Sequence, residues 1–125
     1  MEQIVYARTN AEFLNEAFGT NYKAWRKCGW DYDKDTIVWM IELDDKVRNG
    51  WKNTRVNEET VREDYVGRKE EKLDSHKKLK NYRRIIVKKN RENGIYIVLG
   101  LYAYDHENSV EENKRIWKKI SDQIF

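Results

Sequence analysis

The sequence predicts an α+β fold: a small, mainly antiparallel sheet of four or five strands, open or curled into a partial barrel, with an N-terminal, a middle and a C-terminal helix. Three observations predict it. Tyr82–Asp105 reads YRRIIVKKNRENGIYIVLGLYAYD, two runs rich in β-branched and aromatic residues about the turn-prone Asn90-Arg91-Glu92-Asn93-Gly94, the pattern of a β-hairpin. Thr36–Leu43, TIVWMIEL, alternates as a strand does, with Ile37, Trp39, Ile41 and Leu43 on one side. Thr9-Asn10-Ala11-Glu12 and Ser109-Val110-Glu111-Glu112 are both capping boxes, in which a hydroxyl and a glutamate satisfy the first N–H groups of a helix. At 125 residues the chain is read as one domain, residues 1–125, able to bury roughly two-thirds of its unfolded surface.

In chain order, Gln3–Ala7 is a short strand. The first capping box opens a helix over Asn10–Phe18, with Phe13, Leu14, Ala17 and Phe18 along one face and Gly19 as its terminator. Thr20–Cys28 reads as a second helical turn, Tyr22 and Trp25 inward and Lys23, Arg26 and Lys27 outward, before a loop over Gly29–Asp35. Thr36–Leu43 and Trp51–Val56 form a first hairpin or meander through the strong turn Arg48-Asn49-Gly50. Asn57 caps the middle helix, Glu58 and Glu59 suit its positive end, and it runs to Val66 with Gly67 as terminator. Residues 68–81, RKEEKLDSHKKLKN, have only Leu73 and Leu79 to bury and read as a mobile basic loop or a marginal helix. The second arm of the hairpin then offers an aliphatic face (Ile95, Ile97, Leu99, Leu101, Ala103) and a mostly aromatic one (Tyr96, Val98, Gly100, Tyr102, Tyr104). The C-terminal helix, Val110–Asp122, carries Val110, Trp117, Ile120 and Ile124 as a stripe to cover the aliphatic face.

Composition narrows the classes of function. No run approaches the roughly 18–20 apolar residues of a membrane span. The start, MEQIVYARTN, lacks the basic and apolar parts of a signal peptide, so a cytoplasmic protein without membrane contact is expected. One cysteine, Cys28, excludes an internal disulfide and a thiolate zinc cluster. There is no glycine-rich phosphate loop, nucleophile elbow or dinucleotide fingerprint, and no cofactor is expected. Proline is absent, and five Trp and eight Tyr stand in a strongly polar chain. The Lys-, Asn-, Ile- and Glu-heavy composition is of the kind found in short phage and mobile-element proteins.

The formal net charge is only +3, but it is unevenly placed: residues 68–91 hold eleven Lys/Arg against three Asp/Glu, between two mildly acidic segments. Such asymmetry points to a polyanionic partner. The leading expectation is a non-enzymatic module that binds DNA or RNA. Lys77, Lys78, Lys80, Arg84, Lys88, Lys89 and Arg91 would pair with phosphates, and Tyr96, Tyr102 and Tyr104 would stack on bases if their face of the strand is open rather than packed under the N-terminal helix. Gly100 would admit a ligand close to the backbone.

Two other readings stand beside it. A mobile-element inhibitor of the anti-CRISPR type would dock on a bacterial defence protein, through acidic patches such as Glu58/Glu59/Glu63/Asp64 or through anchors such as Trp30 and Trp51. Asp44-Asp45-Lys46 at a strand end resembles the PD-(D/E)xK nucleases, which implies a metal held by carboxylates and a lysine that activates water. The chain departs from that pattern, having no proline and no earlier acid on a separate strand. His76 and His106 read as exposed loop polars, and Cys28 as a buried structural thiol without the surroundings of a nucleophile.

Overall fold

The computed structural model describes residues 2–66, 73–90 and 92–124. In chain order the elements are β1 (Gln3–Tyr6), α1 (Asn10–Phe18), β2 (Gly29–Asp31), β3 (Thr36–Ile41), β4 (Val47–Arg48), β5 (Trp51–Asn57) and β6 (Thr60–Tyr65). They continue with α2 (Leu73–Leu79), β7 (Arg83–Asn90), β8 (Ile95–Tyr104), α3 (His106–Glu112) and β9 (Arg115–Ser121). The strands make one nine-stranded sheet in the order β2-β3-β7-β8-β9-β6-β5-β4, with β1 paired beside the first half of β8. The β3–β7 pair is parallel and the rest are antiparallel.

This corrects the expected fold. The protein is mostly β, a mixed half-barrel rather than a four- or five-stranded antiparallel sheet beside three helices. Two expected helices are largely strand. Asn57 does accept a hydrogen bond from Glu59 N (2.9 Å), but that bond closes the β5–β6 turn instead of opening a helix. An Asn side chain serves either purpose. Thr60–Tyr65 then alternates as β6. Near the C-terminus the helix starts earlier, with Asp105 as N-cap, and ends at Asn113 in the left-handed region (φ 54°). Ser109 is buried, and its Oγ accepts from Ile116 N (2.9 Å), tying α3 to β9. The expected Thr36–Val56 hairpin does not form either: β3 pairs with β2 and β7, whereas β4 and β5 lie at the far end of the sheet.

Local chemistry explains the elements near the N-terminus. Thr9 caps α1, its Oγ1 accepting from Glu12 N (3.1 Å), and Gly19 ends it at φ 70°. Thr20–Cys28 holds no helix. Asn15 organises part of it, donating to Tyr22 O and accepting from Tyr22 N and Thr20 Oγ1. The expected terminator Gly67 and most of the predicted basic loop's first half, through residue 72, lie outside the described residues. Its second half contains α2, whose Leu79 packs on the core.

The core has two sides. Phe13 and Leu14 of α1 pack with Val38, Met40, Ile85, Val87, Tyr96 and Val98 on one face of the sheet. Trp39, Ile41, Val61, Ile86, Leu99, Tyr102, Tyr104 and Trp117 fill the other. The second face is concave. On a flat sheet β7 and β6, three strands apart, would be separated by about 14 Å, yet Arg84 Nη1 donates to Glu63 Oε1 across 2.6 Å.

The faces of β8 also differ from those predicted. The β7–β8 register passes from Ile86↔Gly100 to Val87↔Val98, so Leu99 is an extra residue on β8 and the alternation switches there. Tyr96 therefore faces α1, and Tyr102 and Tyr104 face the concave side, all three buried. Tyr96 stacks on Phe13 (4.9 Å) and donates to Asn10 Oδ1 (2.7 Å). Gly100 does not admit a ligand; a Cβ there would stand 2.6 Å from Ser121 O of β9.

Candidate nucleic-acid interface

Strand alternation assembles a polar and aromatic cluster on the concave side. Trp51 and Asn53 of β5 lie opposite Tyr65 and Glu63 of β6, and Glu63 lies opposite Arg115 of β9. All these side chains share one face. Glu63 is at the centre. Its Oε1 accepts from Arg84 Nη1 (2.6 Å) and from the indole Nε1 of Trp117 (2.9 Å). Its Oε2 lies 3.9 Å from Arg115 Nη1, an ion-pair distance too long for a hydrogen bond.

The cations are held by rings. The Arg84 guanidinium lies between two indoles, 4.3 Å from the Trp39 ring centre and 4.2 Å from that of Trp117. Arg115 lies 4.6 Å from the Trp51 ring, and Trp51 in turn contacts Tyr65 at 5.1 Å. Burial pushes the Arg84 pKa down, the charge and hydrogen bond of Glu63 oppose that, and nearby Arg115 adds to it. Arginine keeps its proton regardless. Asn53 Oδ1 is buried with no hydrogen-bond partner among the described residues. The floor thus holds an acceptor with unmet capacity beside a carboxylate oxygen at long range from its cation, with Trp51 and Tyr65 at the edge.

The structure disperses the residues singled out from sequence. Lys77, Lys78 and Lys80 are exposed on and just after α2. Arg84 is on the concave floor, Lys88 is half-buried on the same side of β7, and Lys89 is buried on the α1 side. Arg91 lies outside the described residues. Of the two states the sequence left for the tyrosine face, open or packed, the packed one holds, and both faces of β8 are covered. Tyr102 donates to Glu58 O (3.4 Å), and burial pushes its phenol up to about 12. Tyr104 bonds His76 Nδ1 (2.6 Å).

His76, expected on the surface, is fully buried, its Nε2 facing Asn113 Oδ1 at 3.2 Å; it ties α2 to β8 and to the end of α3. Cys28, expected inside, is exposed. Asp44 gives both carboxylate oxygens to Arg48 (2.7 and 2.6 Å), which lowers its pKa to about 2. Among the described residues, no group of three or more His, Cys, Asp or Glu is placed to hold a metal ion, and no helix is long and apolar enough to cross a membrane.

Sequence reasoning did not assemble Asn53, Glu63, Arg115 and Trp117 into a site. The available signal was the alternation Trp51-x-Asn53 followed by Val61-x-Glu63-x-Tyr65, which puts polar groups in line with aromatic ones. A helical reading of 57–66 hides that line.

The curled mixed sheet thus gathers indoles, guanidinium groups and a carboxylate on its concave face. Over residues 1–125 the sequence matches the family model described as SRA, the SET and RING associated domain, and the chain belongs to that family. Membership supports nucleic-acid binding, and DNA in particular. A search of curated proteins finds no match. Among solved structures, the 5-hydroxymethylcytosine-specific restriction enzyme AbaSI is similar in fold, with a TM-score of 0.70 and 23% identity over 97% of this chain. The similarity spans 39% of that enzyme's chain.

Proposed function

We propose that the chain reads a modified cytosine in DNA by receiving the base, turned out of the helix, on its concave face. The observation that carries this reading is the pairing of acceptors on the floor: buried Asn53 Oδ1, without a partner among the described residues, and Glu63 Oε2 across the strand pair from it. Cytosine offers a matching donor, its exocyclic amine, and a carboxylate is a natural acceptor for it. Trp51 and Tyr65 supply the stacking surface that a base needs once it leaves its neighbours. Family membership and the substrate named for the similar enzyme support the same choice of base. The exposed Lys77, Lys78 and Lys80 are proposed to meet the phosphate backbone, with Lys88 nearer the concave side.

The test is fluorescence anisotropy on duplexes that differ only in one central cytosine, carrying hydrogen, methyl or hydroxymethyl at C5. Expected is tighter binding to a modified duplex, with affinity falling steeply as salt rises. Equal affinity for all three duplexes, or binding indifferent to salt, contradicts the proposal.

A further inference from the structure

Arg84 does not reach the floor as a free cation; it is locked between the Trp39 and Trp117 rings with one nitrogen on Glu63 Oε1. Its side chain is 11% exposed and that of Glu63 is 7%. A carboxylate so deeply buried needs a countercharge to stay ionised. It also needs its rotation stopped, because a carboxylate free to turn presents neither oxygen reliably. Arg84 and the Trp117 indole, both on Oε1, meet the second need, and Arg84 meets the first.

We infer that Arg84 is the positioning residue of this site: it holds the Glu63 carboxylate in one orientation, so that the floor accepts a base bearing an exocyclic amine and rejects one bearing a carbonyl at the same place. The inference rests on the base-reading proposal above and deepens it. A protonated Glu63 could donate a hydrogen bond and would welcome the carbonyl of a uracil-type base. An ionised one can only accept. The chemical class selected is therefore an amine-bearing pyrimidine.

The groups that face Glu63 agree. From β5 comes Asn53, and from β9 come Arg115 and Trp117. On its own strand the neighbouring Arg62 and Asp64 pair with each other on the opposite face, with Lys114 beside Asp64. Among the charged groups of the described residues, Arg84 makes the short contact with Glu63. Arg115, at 3.9 Å, is already engaged by the Trp51 ring. Lysine cannot reproduce Arg84, since a point charge neither lies flat between two indoles nor presents a fork.

The experiment compares affinity for a duplex with one 5-hydroxymethylcytosine and for the same duplex with 5-hydroxymethyluracil, between pH 5.5 and 8. The parent protein should prefer the amine-bearing base at every pH. Arg84→Met should lose about tenfold or more of that preference, an effect of the size expected for one misplaced buried acceptor. Arg84→Lys should lose about threefold or more. Circular dichroism and thermal unfolding establish which variants fold. If Arg84→Met does not fold, Arg84→Lys decides. A folded Arg84→Met, or in its absence Arg84→Lys, with the parent's preference overturns the role of Arg84 and leaves base reading intact. A parent protein that binds both duplexes alike overturns base reading, and the role of Arg84 with it.

Discussion

Gly100 marks the point where β8 comes closest to β9. Its φ of 146° and the 2.6 Å gap from a built Cβ to Ser121 O leave no room for a side chain. Gly100→Ala is expected to cost about 2–4 kcal/mol, measured by denaturant unfolding, because both strain and a backbone clash must be relieved. Asp44 predicts an acid response. Its pKa is lowered from 3.8 to about 2, chiefly by the hydrogen bonds from Arg48. A depressed carboxylate stabilises the folded state above its ordinary pKa and stops doing so as pH falls through the folded value. The β4–β5 hairpin should therefore hold its amide protection from neutral pH to about 4 and lose part of it towards pH 2. Asp44→Asn should remove that dependence, as read by hydrogen exchange at Val47 and Arg48.

Among the elements, α3 and β9 are tied by the Ser109 hydroxyl beside the backbone bond from Asp105 N to Ile116 O. Ser109→Ala leaves the buried Ile116 N–H without its acceptor and should lower stability by about 1–3 kcal/mol in thermal or denaturant unfolding. Ser109 also shows why this part of the chain misleads. Its Ser-x-x-Glu spacing satisfies the capping pattern, but the side chain turns to the next strand. The three charges and short apolar stretch of Arg115–Ile120 fit a helix stripe and a strand equally well. Elements whose partners are close in sequence were legible: α1, from Thr9 and Gly19, and the β7–β8 hairpin, from its turn. Thr60–Tyr65 was not, because its polar residues look outward-facing until Arg84 and Trp117 stand opposite Glu63.

At the scale of the molecule, the sheet curls so that groups from β3, β5, β6, β7 and β9 meet on one floor. The candidate site is a product of that curl, and no single segment contains it. The sequence displayed its charge openly, in the lysines at 77, 78 and 80, but not the reading surface, since Trp39, Asn53, Glu63, Arg84 and Trp117 span 79 positions without a shared motif. Burial was the second hidden quantity. An uncharged run such as Gly94–Tyr104 announces that it is covered, but the one-residue slip at Leu99 decides which tyrosine is covered by what.

The position of β8 in the order of strands also bears on how the chain reaches this shape. It is flanked by β7 along most of its length and by β1 and β9 in turn on the other side. Gln3–Tyr6 has to wait for Ile95–Val98 before it has a strand to join, and β3 has to wait for Arg83–Lys88. Such distant pairings carry a large loop-closure cost and make for slow folding. During synthesis, most of the chain emerges before its central strand exists. The local β4–β5–β6 meander, the β2–β3 pair and α1 can form early, but β1 has to wait for β8, and β3 for β7 on its other side. Folding of this domain is therefore a late, concerted event, set by the release of its last third.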